Sequence, residues 1–539
     1  MSPHAEGRPM ELPRRDGGPA SRGRLLRAGL AGLVGVLLAA AALTAADAKV
    51  LRTNLRADPA MVDPVTYSEL VAGDVMKNLY EGFTDVDKDG NVVPALAVRW
   101  EAHPDNKGFR FQLRKGVKFH SGREFTVKDV KWTFEQILAP GNKGGLTLTY
   151  LKDLEGAKEI QEGKATQLSG VKIVDPYTVE VRFMSPDVLF PIYPFQFMDS
   201  GIVVQHGADW ATKVSAGTGP FKFVHWKRGQ EVRLAAHKEY WGGAPHVDEV
   251  AMLIVPSYDT AVSMYEANAL DVIELEAIQA RRVLRDPQFK DQILAVPAAQ
   301  IRFLGMNQNL YEPFKDKRVR EAICLSFDRE GLVKGLYGGA GAPLYGQITP
   351  GVAGYNPNVK PIPYDPARAK RLMADAGYPD GKGLPPVKIT CEPTFKDELT
   401  YYADQFKKVL GMPVEIEIQE RGTFIKRMNA GEVPFFPWGW TAGYPDAMYF
   451  LSQVWYGPSP YNRARWKNAE FDQLIVRAQA TADAQARYKL YHAAEQVLLS
   501  DWGTCPLVVR MQIALRKPNV EGVHLTPFRF LPFKTVKLN

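Results

Sequence analysis

Residues 100–134, WEAHPDNKGFRFQLRKGVKFHSGREFTVKDVKWTF, carry a strand pattern and a helix pattern back to back. Phe109, Phe111 and Leu113 alternate with Arg110, Gln112 and Arg114, so a short strand there has one apolar and one charged face. Gly116 and Gly122 punctuate the turn region that follows. Thr126 and Asp129 then have the spacing of a capping box, which supplies an acceptor for the first free N–H groups of a helix. Val130, Phe134, Ile137 and Leu138 give that helix a single buried stripe. The same alternation continues along the chain. Val179, Val181 and Phe183 alternate with Glu180 and Arg182, and Val414, Ile416 and Ile418 alternate with Glu415 and Glu417. Asp365-Pro366 opens a helix that Gly377 stops, and residues 470–499 hold two helical patterns broken around Thr481-Ala482-Asp483. Strands alternating with capped helices argue for an α/β chain.

A chain of 539 residues, 45% hydrophobic and 24% charged, has material for two or three domains. The net charge of +7 is small for this length, and the basic residues are dispersed, which argues against nucleic acid as a partner. Cys324, Cys391 and Cys505 are too far apart in sequence for metal-ligand spacing; one disulfide with a leftover thiol and three buried thiols both remain open. The nine histidines are scattered. Nucleophile elbows, zinc-protease pairs and phosphate-cradling glycine loops are all missing, so no enzyme, no cofactor and no metal is predicted. A peptide hydrolase would need a nucleophile–base pair that the sequence does not display. Asp85, Asp87, Asp89 and Gly90 imitate half of a calcium loop, but Leu96 stands where a bidentate Glu is needed, and a polar turn is the better reading.

Arg22, Arg24 and Arg27 precede an apolar run over residues 28–46 that ends at Ala46-Asp47-Ala48. Residues 1–48 therefore read as a basic leader and cleaved signal peptide, with an uncleaved anchor as the alternative, and a periplasmic location follows. No Cys follows the run, which argues against a lipid anchor.

The string LRKGVKFHSGREFTVKDVKWTF closely resembles the signature segment of the family 5 extracytoplasmic solute-binding proteins, receptors of bacterial ABC importers for oligopeptides, dipeptides, nickel chelates and related solutes. Four further stretches resemble family segments in the same order. They are Gly217-Thr218-Gly219-Pro220-Phe221 with Trp226 and Tyr240-Trp241-Gly242-Gly243; the run from Phe314 to Glu330; YDPARAKRLMADAGYPDG; and WGWTAGYPDAMYFL. The resemblance implies a two-lobed α/β periplasmic binding protein fold of type II around a central cleft, with an extra inserted domain. The expected first lobe holds residues 49–81, 215–305 and 505–539, the inserted domain 82–214, and the second lobe 306–504.

The resemblance also implies closure of the lobes on a small solute, delivery to ABC permease subunits in the inner membrane, and a monomer. It places Trp438, Trp440, Thr441, Tyr444 and Asp446 on the cleft wall, with the indoles and the phenol as flat apolar surface carrying N–H and O–H handles. Thr66, Tyr67 and Ser68 fall where family members form a ligand-facing loop, with a solvated turn as the alternative. Arg302, an unusual charge in an apolar run, either receives a ligand carboxylate or phosphate or pairs with a structural acid. Peptide-binding members carry an Asp three residues after the Trp matching Trp440, where it pairs with the peptide ammonium; this chain has Gly443 there. The expected solute is therefore a blocked or modified peptide, a conjugate, a glycoside or a metal chelate. A receptor that signals to a partner without transport is the alternative use of the same closure.

Overall fold

Three sheets organise the chain. The structure, a computed structural model, describes residues 48–66, 70–142, 147–528 and 532–539. Residues 1–47 of the expected leader, and Tyr67 and Ser68 of the expected ligand-facing loop, lie outside the described residues. Lys49–Asn539 pack as one unit.

The largest sheet runs in the order Ile293–Pro297, Val508–Arg516, Val272–Leu275, Val50–Leu55, Glu249–Ile254, Glu231–Ala236, Phe221–Lys227, with Gly341–Pro343 added alongside Val508–Arg516. A second sheet runs Val414–Ile418, Val387–Cys391, Phe435–Thr441, Gln300–Met306, Cys505–Pro506; its first three strands are parallel and the last two antiparallel to their neighbours. The chain leaves the first sheet between Pro297 and Gln300, touches it again only through Gly341–Pro343, and returns to it after Pro506, so Gln300–Met306 and Cys505–Pro506 lie wholly in the second sheet. The third sheet, Ala97–Ala102, Gly108–Leu113, Thr178–Arg182, Val171–Asp175, is antiparallel and local in sequence.

The third sheet forms as the local pattern dictates. Phe109, Phe111 and Leu113 are buried together with Val130, Phe134, Ile137 and Leu138 of the helix Val127–Leu138, whose capping box of Thr126 and Asp129 is present. Phe83 stacks on Phe111 with ring centroids 4.0 Å apart and tilts 8° from it. The polar part of the signature segment is a latch. Arg123 reaches Asp129 at 2.5 Å and Asp199 at 2.7 Å, both carboxylates being buried, and Ser121 donates to Asp199 at 2.6 Å. His120, held between Ser215 and the Gly219 carbonyl, is pushed down to about 3 by burial and stays neutral.

A second family stretch has the same structural purpose. Thr218, Tyr240 and Trp241 converge on the buried carboxylate of Glu81 at 2.9, 2.6 and 2.9 Å, at the root of the segment that builds the third sheet. Gly217 is obligatory, because a Cβ there would stand 1.9 Å from the Leu79 carbonyl oxygen.

Asp365 caps the helix Pro366–Asp375, and Gly377 beyond it has φ +95°. Helices Ala469–Gln479 and Ala484–Ser500 are separated at the expected break, with Asp483 as the second cap. One alternation has a different outcome: Ile416 and Ile418 are 39% and 43% exposed, because Val414–Ile418 is the edge strand of its sheet. The three cysteines are buried free thiols, and burial together with a hydrogen bond to Cys505 raises the Cys324 thiol. In the calcium-like loop, Asp87 accepts the backbone N–H groups of Asp89 and Asn91, while Asp85 pairs with Lys77 and Lys534. Among the described residues no helix is long and apolar enough to cross a membrane.

Candidate solute-binding wall

Parallel strands bring all their carboxyl ends to one edge, where side chains of successive loops meet. In the second sheet that edge gathers Glu392 after Val387–Cys391, Arg421 after Val414–Ile418, and the Trp438 to Thr441 end of Phe435–Thr441. The adjoining antiparallel strand begins there, with Gln300 opposite Thr441 and Ile301 opposite Trp440. Gln300 donates to the Thr441 hydroxyl at 3.0 Å.

Trp438 is buried. Its ring lies between Phe395, 6.4 Å away at 17°, and Phe424, 5.8 Å away at 67°. Trp440 is half-buried, with Tyr461 at 5.1 Å and Tyr449 at 6.4 Å. Neither indole Nε1 has an acceptor among the described residues. Arg463, from the loop before Ala469–Gln479, stacks its guanidinium 4.6 Å from the Trp438 ring and 5.7 Å from the Trp440 ring. Burial pushes it down to about 10. Arg421 pairs with buried Glu392 at 2.6 Å.

Tyr444 faces away from solvent and into a contact between layers. It meets Tyr193 at 4.9 Å and Tyr150 at 6.1 Å, both from the segment that carries the third sheet, and Tyr449 at 4.9 Å. Tyr150 and Tyr193 stack at 4.6 Å, and the Tyr193 hydroxyl donates to Asp187, whose carboxyl burial raises to about 6. Gly443 sits under the same group: a Cβ there would stand 2.8 Å from the Tyr150 hydroxyl oxygen and 2.9 Å from Tyr449.

Three of the residues expected at the site are placed elsewhere or otherwise engaged. Asp446 is buried, accepts the Met448 N–H at 2.9 Å and pairs with Arg487 at 3.6 Å, so its charge is matched within the protein. Arg302 lies over the Phe395 ring at 4.3 Å and its Nη1 is ion-paired with buried Glu398, which also accepts the Tyr337 hydroxyl at 2.6 Å; its charge is matched by a structural acid, the alternative to the ligand role considered for it. Thr66 is exposed in a turn closed by Asp63. Trp438, Trp440, Thr441 and Tyr444 do share one wall, and the structure adds Arg463, Tyr449 and Tyr461 to it. Tyr449 stands in the WGWTAGYPDAMYFL stretch but was not singled out there, and nothing local marked Tyr461 or Arg463, which reach the tryptophans only through the tertiary fold. Among the described residues no group of three or more His, Cys, Asp or Glu is placed to hold a metal ion.

With this geometry in hand, comparison with known proteins is direct. Residues 91–462 match the model of bacterial extracellular solute-binding proteins, family 5 Middle. Heme-binding protein A of Haemophilus influenzae is 28% identical, over 89% of this chain and 90% of its own. Di/tripeptide-binding protein 2 of Pseudomonas aeruginosa is 27% identical, over 93% of this chain and 97% of its own. The unliganded open form of the periplasmic murein tripeptide-binding protein MppA, a protein of Escherichia coli, superposes with a TM-score of 0.78 at 23% identity, covering 92% of this chain and 98% of that one. The fold is thus the two-lobed α/β fold of periplasmic binding proteins. The chain belongs to the bacterial extracellular solute-binding proteins of family 5.

Proposed function

We propose that the protein is the receptor of an ABC importer, a periplasmic monomer that captures a small solute between its lobes and presents the closed form to permease subunits in the inner membrane. The lobes are the first sheet with its inserted third sheet, and the second sheet with its helices, their edges lying at residues 297–300 and 506–508. Half-buried Trp440, with an indole N–H that lacks an acceptor, is the observation that carries the reading. A flat apolar face with an unmet donor at the carboxyl edge of a parallel sheet is a surface made for a ligand. Solute bound to both lobes stabilises the closed arrangement and raises its population.

The solute does not depend on a free ammonium. Gly443 offers no carboxylate, Tyr150 and Tyr449 fill the space beside it, and Asp446 is matched by Arg487. A blocked peptide, a conjugate, a glycoside or a chelate fits this wall better than an ordinary peptide. Thermal-shift measurements on the purified protein, unfolded and refolded to strip ligand, test this against free and N-acetylated di- and tripeptides, heme, glycosides and metal chelates. A solute at 100 times its Kd adds about 2.7 kcal/mol of stability, read as a higher melting temperature. A shift with N-blocked or non-peptide solutes and none with free peptides is expected; submicromolar binding of free dipeptides overturns the ligand reading.

A further inference from the structure

The wall carries one charge without a counter-charge. Arg421 has Glu392, Arg302 has Glu398 and Arg487 has Asp446. Arg463 is 6% exposed and, among the described residues, pairs with no carboxylate. Its Nε donates to the Asn429 side-chain oxygen at 3.0 Å, and its Nη1 has no acceptor. Arg421 repels it, and stacking on two indoles offsets only part of what desolvation costs a cation. A buried guanidinium in this state is stabilised most by a planar, acceptor-only anion that meets its fork. The Nε1 groups of Trp438 and Trp440 are two further donors without acceptors in the same stacked cluster. Trp438 and Arg463 are buried, while Trp440, with Tyr449 and Tyr461 against its ring, is half-buried and brings one side of the cluster to the accessible rim of the wall.

We propose that Arg463 is the charge-reading residue of this wall and that the solute carries a carboxylate which Arg463 receives, its flat body lying along Trp440. The proposal rests on the reading of the wall as a solute site and adds the sign and chemistry of the solute's charge. It makes the site's preference opposite to that of an ammonium-recognising wall: Gly443 removes an anion, and Arg463 supplies an unmatched cation.

Calorimetry on the purified, refolded protein tests this with matched pairs that differ only in charge: N-acetyl-Ala-Phe and N-acetyl-Ala-Ala-Phe against their C-terminal amides, and indole-3-acetate against indole-3-acetamide. The acids should bind about 10- to 100-fold more tightly than the amides. Arg463→Met keeps the stacked volume and removes the charge, and in it acid and amide should bind alike, at the level of the wild-type amide. If Arg463→Met fails to fold, Arg463→Lys decides: a point charge without the fork should keep the preference for acids at a reduced ratio. Equal binding of acid and amide by the wild type, or an undiminished preference in Arg463→Met or Arg463→Lys, overturns the proposal and leaves the receptor reading standing. Binding of no member of the panel at millimolar concentration overturns both.

Discussion

Gly443 shows how much a missing side chain decides. Its neighbours have closed over the vacancy, with the Tyr150 hydroxyl oxygen 2.8 Å from where a Cβ would stand. Restoring an acid by Gly443→Asp therefore does not restore an ammonium site. The variant should lose about 1–3 kcal/mol through overpacking and gain no affinity for free dipeptides; chemical denaturation and calorimetry on the same sample check both. The glycine and the two tryptophans were legible in the sequence, because their spacing matched a family segment. What surrounds them was not. Tyr150 and Arg463 approach from other segments of the chain, and nothing in NRARW distinguishes a stacked, unpaired Arg463 from the half-buried Arg465 two residues on, which donates to the Asn429 carbonyl. Arg302 was visible as an oddity, yet Glu398 is its partner only because a helix from the next crossover brings it there.

At the scale of elements, sequence periodicity identified the strand Gly108–Leu113, the helix Val127–Leu138 and the helix pair after Asn468 because each is stabilised locally, by alternation or by a cap. It also identified the strand Val414–Ile418, but the alternation did not tell that this strand lies at an edge with Ile416 and Ile418 exposed. It also left unexplained why the signature segment is so polar. Arg123 answers that, since it pairs with Asp129 and Asp199 at once. Arg123→Ala leaves two buried carboxylates unmatched and should cost about 3–5 kcal/mol, measurable as a lower urea midpoint, with solute affinity unchanged at concentrations where the variant is folded. A pH effect belongs to the helix Ala484–Ser500. Burial raises the Glu495 carboxyl from its ordinary value near 4.5 to about 7, while it accepts the backbone N–H of Gln347 at 2.6 Å. A raised carboxyl favours the folded state fully below about pH 4.5, and that contribution disappears as pH rises through about 7. Glu495→Gln should therefore gain on the wild type as pH increases across this window, by about 3 kcal/mol in total; parallel melts at several pH values check it.

Across the whole molecule, the third sheet and the second sheet touch through Tyr150, Tyr193 and Tyr444 and through a hydrogen bond from Asn106 to the Ala480 carbonyl. In the receptor reading these contacts would restrain the lobes before solute arrives. Tyr193→Ala should shift the unliganded protein toward more open arrangements, seen as a larger radius of gyration in X-ray scattering; an unchanged radius would show that the tyrosines do not restrain the lobes. The two passages between the large sheets have a further consequence. They run antiparallel and are bonded to each other, from Ala298 to the Arg510 carbonyl and from Leu507 to the Arg302 carbonyl, each at 2.9 Å. A paired ribbon flexes more readily out of its own plane than within it, which in the receptor reading would favour a swing of the lobes about one axis over shear. A swing confined to one axis would present the same outer contour whichever solute completes it. A transporter that senses contour is then blind to cargo, and one membrane machine can serve receptors of different taste.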